Sequence, residues 1–143
     1  MGWGRVVAVL LAPIVLNPGA IGAASGAEYA PLTATPGDPE AGRRIVADRA
    51  LSACLLCHAG PFPAPHLQGG IGPTLEGVGT RLTPGEIRLR LVDPRRVNPD
   101  TVMPAYFVTE GLHRVGPAWA GKPILTVRQI EDVVAFLTTL RDP

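Results

Sequence analysis

The chain has 143 residues, the length of a single domain. It holds 13 basic and 12 acidic side chains, with Arg5 as the only charged one among residues 1–27. The remaining chain is neutral, so charge does not favour a nucleic acid or an anionic membrane surface as partner. Its two cysteines lie three residues apart and exclude a disulfide framework. The chain has 17 Gly and 16 Pro but only two Trp, two Tyr and three Phe. A domain this small with so few large side chains needs a large apolar cofactor to fill its centre.

Residues 1–27 have the layout of a secretory signal peptide. Arg5 gives the n-region a positive charge, and the apolar run 6–16 is shorter than the roughly 20 residues that span a bilayer. Small residues follow, so we predict cleavage after Ala24 or Ala27, export to the periplasm and no stable membrane span. The alternative is an uncleaved amphipathic anchor. Residues 28–37 are then an extended leader, and residues 38–143 the folded domain.

The folded domain is predicted to be all-α, because its strand signals are weak and Pro- and Gly-rich loops separate helical segments. The first helix is predicted to begin after the N-cap Asp38, with Pro39 at the first helical position, and to run to about Cys54. Its apolar residues would form the buried side.

Two further helices begin with capping boxes. Thr83 and Glu86 open the second, which Asp93-Pro94 ends. Thr126 and Gln129 open the third, in which apolar residues recur at helical spacing along one face. The polar residues of this last helix are predicted to face water: Arg128, Gln129, Glu131 and Asp132.

The segment Cys54-Leu55-Leu56-Cys57-His58 is a Cys-x-x-Cys-His motif, typical of covalent haem attachment. Each thiol can add to one haem vinyl group, and His58 then projects its imidazole at the iron. A dithiol redox pair uses similar residues but sits in an alternating strand and helix pattern, which is not predicted here. A zinc site would need His66 or His113 as its fourth ligand, from Pro-rich loops. We therefore predict one covalent haem c.

The second axial position of the iron has Met103 as its natural candidate. It is the only methionine outside residues 1–27, and loop formers rather than a helical apolar stripe surround it. Pro99 and Pro104 would stiffen the loop, and a thioether ligand favours ferrous iron and raises the reduction potential. The alternatives are that Met103 fills the core, or that His66 or His113 is the ligand.

The order of these features resembles class I cytochromes c: an N-terminal helix, the haem motif, a Gly-Pro turn, a Met loop and an amphipathic C-terminal helix. The resemblance covers residues 40–141 and is specifically to the SoxX family, the small monohaem subunits of SoxAX sulfur-oxidation cytochromes. It is carried by residues 68–79, 88–104, 121–126 and 131–137.

The resemblance implies roles for individual residues. His58 would be the proximal iron ligand and Met103 the distal one, and the carbonyl of Pro73 would accept the other ring N–H of His58. Gly42 and Phe136 would lie where the N- and C-terminal helices cross, with the glycine allowing close approach.

The resemblance also implies a partner and an activity. SoxX-like chains form a heterodimer with a SoxA-like cytochrome subunit in the periplasm, and the pair oxidatively joins thiosulfate to a carrier-protein cysteine. Substrate chemistry is assigned to the partner, so no catalysis is expected on this chain alone, which has no third cysteine. Its haem would accept electrons and pass them to a further cytochrome. The alternatives are a free-standing electron carrier, and a haem sensor or peroxidase with an exchangeable sixth ligand.

Five arginines lie close together between residues 81 and 96. They could form a docking face for an acidic patch or an anion, or a solvated helix side with partners for the haem propionates. We favour the second interpretation for these residues: Arg81, Arg88, Arg90, Arg95 and Arg96.

Overall fold

The computed structural model describes Met1 and residues 30–142, so all of the predicted signal peptide except Met1 lies outside the described residues. Within the described part the structure is helical and has no strand, which confirms the all-α prediction. No helix there is long and apolar enough to cross a membrane. The helices are α1 (Pro39–Ala47), α2 (Cys54–Cys57), α3 (Val78–Arg81), α4 (Pro84–Val92) and α5 (Val127–Thr139), with short 3-10 turns at Pro65–Leu67 and Pro94–Arg96.

Helix α1 ends earlier than its sequence predicts. The N-cap is confirmed, since the Asp38 side chain accepts the Glu40 N–H, but the prediction that the helix reaches Cys54 is wrong. Its last residue is Ala47, and the Asp48 carboxylate accepts the N–H groups of the next turn at 2.9 and 3.0 Å. Asp competes in this way with the helical hydrogen bonds of its own backbone, so the chain turns before the first cysteine.

Helices α1 and α5 cross at Gly42, as the family resemblance implies. A Cβ atom built on Gly42 would overlap the carbonyl oxygen of Asp132 and lie 2.8 Å from Cβ of Phe136. The Phe136 ring then packs edge-on against Phe62, with 5.8 Å between ring centroids. The missing side chain of Gly42 is therefore what lets the two helices approach this closely.

We expect Gly42→Ala to destabilise the protein. Alanine is preferred to glycine inside a helix by about 1 kcal/mol, but overpacking at a close contact costs about 1–3 kcal/mol, and the contact at Gly42 includes backbone atoms that cannot rotate away. Chemical denaturation measures the effect. Gly70→Ala is the control, since nothing lies within 4 Å of a Cβ built there. A stabilising Gly42→Ala would contradict this account of the crossing.

The polar side of α5 is not solvated as predicted. Glu131 and Asp132 are only 5% and 6% exposed, so the prediction that they face water is wrong for both. Asp132 accepts the N–H of Asp38 at 2.7 Å and pairs with Arg128 at 3.0 Å, which ties the start of α1 to α5.

Glu131 forms a buried ion pair with Arg88 of α4. Its two carboxylate oxygens lie 2.6 and 2.8 Å from the Arg88 guanidinium, and one of them also accepts the N–H of Leu32 at 2.9 Å. Arg88 is therefore not part of a solvated arginine face, contrary to the sequence-based interpretation. The pair fixes the orientation of α4, which forms a wall of the cavity described next.

Candidate haem site

A cavity of about 910 Å³ lies beside α2, α3 and α4 and the segment 97–106. This volume is at the upper end of the 300–1,000 Å³ range that is usual for small-molecule and cofactor sites. Its walls include apolar side chains of the core, among them Leu75, Val78, Ile87 and Leu91. All the site residues predicted from the sequence line it together: Cys54, Cys57, His58, Pro73 and Met103.

The residues proposed for a zinc site are not brought together. His66 and His113 are exposed and lie outside the cavity lining. Among the residues that the structure describes, no group of three or more His, Cys, Asp or Glu side chains could hold a metal ion. The cavity therefore offers sulfur and imidazole groups for a cofactor rather than a zinc cluster.

Both thiols are presented by the single turn α2. The two cysteines are half-buried and free, and the N–H of His58 bonds to the carbonyl of Cys54 at 3.0 Å. Burial raises the pKa of the Cys54 thiol. A dithiol redox pair works through a thiol whose pKa is lowered, so the environment of Cys54 argues against that alternative.

The imidazole of His58 is held from one side. Its Nδ1 atom lies 2.6 Å from the carbonyl oxygen of Pro73, and the adjacent Gly72 donates its N–H to the carbonyl of Cys57 at 2.8 Å. A Cβ atom built on Gly72 would overlap the His58 ring, since it would lie only 2.8 Å from Nε2. Because the carbonyl occupies Nδ1, Nε2 is the nitrogen available to an iron atom.

Met103 also lines the cavity, in a segment outside the helices. It is half-buried and packs against the hydrophobic core, and its N–H donates to the Thr101 hydroxyl at 3.1 Å. Three residues later, Tyr106 is fixed by backbone hydrogen bonds to Leu91 and Leu125, both 2.9 Å long. A thioether is thus held on the wall of the cavity that also receives His58.

The arginines between residues 81 and 96 do not act as one group. Arg81 and Arg90 line the cavity, and their guanidinium groups donate to backbone carbonyls without forming an ion pair with any carboxylate of residues 30–142. Arg95 forms a two-pronged pair with Asp93 outside the cavity, at 2.7 and 3.0 Å. Of the five arginines, Arg81 and Arg90 are therefore the two that line the cavity, where Asp100 also lies.

Sequence reasoning did not single out Tyr106, which also lines the cavity. Its hydroxyl lies 3.8 Å from Sγ of Cys54 and is buried, which raises its pKa. Its position three residues after Met103 gave no sign of this contact, because the partner is 52 residues away along the chain.

Comparison with solved structures identifies the chain. It matches the crystal structure of SoxXA from P. pantotrophus with a TM-score of 0.71 and 40% sequence identity, over 79% of this chain and 88% of the matched chain. The chain belongs to the SoxX family. No protein-family model and no curated protein matches it. As a SoxX-family chain, it is a c-type cytochrome subunit of a SoxAX complex in sulfur oxidation.

The residues of this SoxX-family chain fit a haem c group. The cavity supplies apolar walls, two thiols in one helical turn, an imidazole with Nε2 free and a thioether. Among the described residues, these are the donor types that attach haem and bind its iron in cytochromes c.

Proposed function

We propose that this chain carries one haem attached through Cys54 and Cys57, with His58 and Met103 as the axial ligands. In a periplasmic complex that oxidatively couples thiosulfate to a carrier-protein cysteine, it is the electron-accepting subunit. The observation that carries the proposal is the convergence of both thiols, the imidazole and the thioether on one cavity.

The reaction defines what this subunit has to do. Joining thiosulfate to a cysteine thiol forms one sulfur–sulfur bond and releases one proton and two electrons. A bound haem supplies one-electron chemistry at its iron, so the two electrons must leave in succession to a further cytochrome. Cys54 and Cys57 are the only cysteines of the chain and both are used for attachment, so the substrate-binding thiol belongs to a SoxA-like partner.

The side chains around the iron favour electron transfer over ligand exchange. Met103 would close the sixth position and favour ferrous iron. The Pro73 carbonyl would orient the imidazole of His58 and increase its basicity. A closed site of this kind supports an electron carrier rather than a haem sensor or peroxidase.

Two strongly exposed apolar side chains lie at the cavity and support a protein partner there. Ile71 is 74% and Val102 82% exposed, and both line the cavity. An exposed apolar patch is typical of a protein-binding surface, and these two side chains line the same cavity. We propose that the SoxA-like subunit covers them.

Co-purification tests the proposed function. We expect the tagged holoprotein to retain the SoxA-like subunit of the same organism as a stable heterodimer. Ile71→Asp and Val102→Asp should weaken this retention. Val127→Asp is the matched control, because Val127 is exposed at the first position of α5, away from the cavity, where Asp favours the helix. A monomer without affinity for the SoxA-like subunit would contradict the proposal and favour a free-standing carrier.

We expect Arg90→Gln to lower the reduction potential of the holoprotein. Arg90 lines the cavity, and its positive charge would favour the reduced form of a haem held there. Spectroelectrochemical titration should show a decrease of tens of millivolts. Arg95→Gln, which removes a charge outside the cavity lining, should change the potential less. An equal shift for both variants would show that Arg90 acts only through net charge.

A further inference from the structure

One buried hydrogen bond joins the turn before Cys54 to the segment after Met103. The hydroxyl of Tyr106 donates to the backbone carbonyl of Ser52 at 2.6 Å, across 54 positions of the sequence. Tyr106 is 4% exposed and Ser52 is 2% exposed. Water is therefore excluded from this bond, and the carbonyl of Ser52 has no solvent to replace the hydroxyl.

The Ser52 end of this bond controls how the first thiol is presented. The Ser52 hydroxyl donates to the carbonyl of Ile45 at 2.7 Å, which attaches the turn to α1. The carbonyl that Tyr106 holds directly precedes Ala53, which has a left-handed φ of 55°. Residues with a side chain adopt this conformation rarely, and it persists where neighbouring contacts hold it. The Tyr106 bond is one such contact, next to Cys54.

Backbone hydrogen bonds hold the Tyr106 end of this bond in place. Its N–H donates to the carbonyl of Leu91 in α4, and its own carbonyl accepts the N–H of Leu125, both at 2.9 Å. Met103 lies three residues earlier, with Pro104 between them restricting the backbone. A short, stiff segment therefore links the hydroxyl of Tyr106 to the thioether of Met103.

We propose that Tyr106 is a positioning residue that couples the turn carrying Cys54 to the segment carrying Met103. Through the Ser52 carbonyl it holds the two walls of the cavity at a set separation, so that the thioether stays on the iron. The coupling rests on the proposed function, in which Met103 binds the iron. Without the hydroxyl, the Met103 segment can move away from the iron while the rest of the protein stays folded.

Tyr106→Phe in the holoprotein tests this coupling, because it removes the hydroxyl and keeps the ring. Two properties are followed during heating: the visible absorption band of the iron–methionine bond in the ferric form, and helicity by circular dichroism. We expect the variant to lose the band at a clearly lower temperature than its helicity. Its folded ferrous form should bind carbon monoxide about tenfold faster than wild type. A tenfold change in rate corresponds to the free energy of one buried hydrogen bond.

Ile130→Val is the control, since Ile130 is fully buried in α5 but does not line the cavity. Ile130→Val should lower the temperature at which the absorption band and the helicity are lost. Both should still be lost at the same temperature. If Tyr106→Phe also loses both together and binds carbon monoxide at the wild-type rate, Tyr106 is merely structural and the coupling is wrong. A wild type without the band contradicts the proposed function itself, and the coupling with it.

Native-state hydrogen exchange of wild type provides a second test that does not depend on the variant's folding. The N–H groups of Ser52 and Tyr106 are both hydrogen-bonded, to Asp48 and Leu91 respectively. Coupled segments should open together, with the same free energy and the same dependence on denaturant. Independent opening of the two amides would overturn the proposal.

Discussion

Met103→Ala is expected to open the sixth coordination position of the haem iron. The ferric protein should lose the absorption band of the iron–methionine bond, and the ferrous protein should bind carbon monoxide rapidly. The reduction potential should fall, because a thioether ligand favours ferrous iron. Axial ligands control a range of about 0.8 V in haem proteins, so this effect should exceed that of any substitution at the cavity rim.

The matched control for this substitution is Val102→Ala. Val102 precedes Met103 and is largely exposed, so truncating it changes the loop without removing a ligand. We expect the band, the slow carbon monoxide binding and the potential to stay close to wild type. Persistence of the band in Met103→Ala would mean that another side chain binds the iron.

Glu131→Gln is expected to cause the largest loss of folding stability. The substitution keeps the shape of the side chain but leaves the buried guanidinium of Arg88 without its counter-charge. Removing one partner of a buried ion pair typically costs about 3–5 kcal/mol. Denaturant unfolding of the holoprotein at neutral pH measures this loss.

The exposed pair formed by Glu40 and Arg43 on α1 provides the control. Glu40→Gln should change the unfolding free energy by no more than about 1 kcal/mol, because solvent screens an exposed pair. If Glu131→Gln and Glu40→Gln changed the unfolding free energy equally, burial would not explain the effect of Glu131→Gln. The double variant Arg88→Met with Glu131→Leu should recover much of the lost stability, since a well-packed apolar pair can replace a buried ion pair.

The same ion pair predicts how stability changes with pH. Burial raises the pKa of the Glu131 carboxyl, but the hydrogen bonds from Arg88 and from the Leu32 N–H outweigh it and hold that pKa below its usual value of 4.5. A lowered folded-state pKa stabilises the fold above the pKa of the unfolded chain, and this contribution is lost as the pH falls through the folded-state pKa. Glu131→Gln should therefore flatten the decrease in stability below about pH 4.5.

Local sequence signals predicted the helix starts well. The capping boxes at Thr83 and Thr126 are both formed as predicted, because their hydrogen bonds join residues three positions apart. The family resemblance supplied what spacing could not, such as the approach of Gly42 to α5. That approach depends on a crossing of two helices almost a whole domain apart in the sequence.

Long-range polar contacts were beyond the sequence patterns. Helical periodicity sorts residues by hydropathy, so it predicted Glu131 to face water although its partner Arg88 makes burial favourable. The partners are 43 residues apart, and no local signal connects them. The same holds for Tyr106 and Ser52, whose hydrogen bond exists only because the Met103 segment folds back over the turn before Cys54.

We propose that the sulfur of Met103 and the imidazole of His58 bind one haem iron. A proton NMR spectrum of the ferrous holoprotein with labelled methionine methyl groups tests it most directly. If the claim is right, the Met103 methyl group lies over the haem face and its resonance is displaced far upfield by the ring current. A Met103 methyl resonance at the ordinary position of an unbound methionine would contradict the closed site and the electron-transfer role that rests on it.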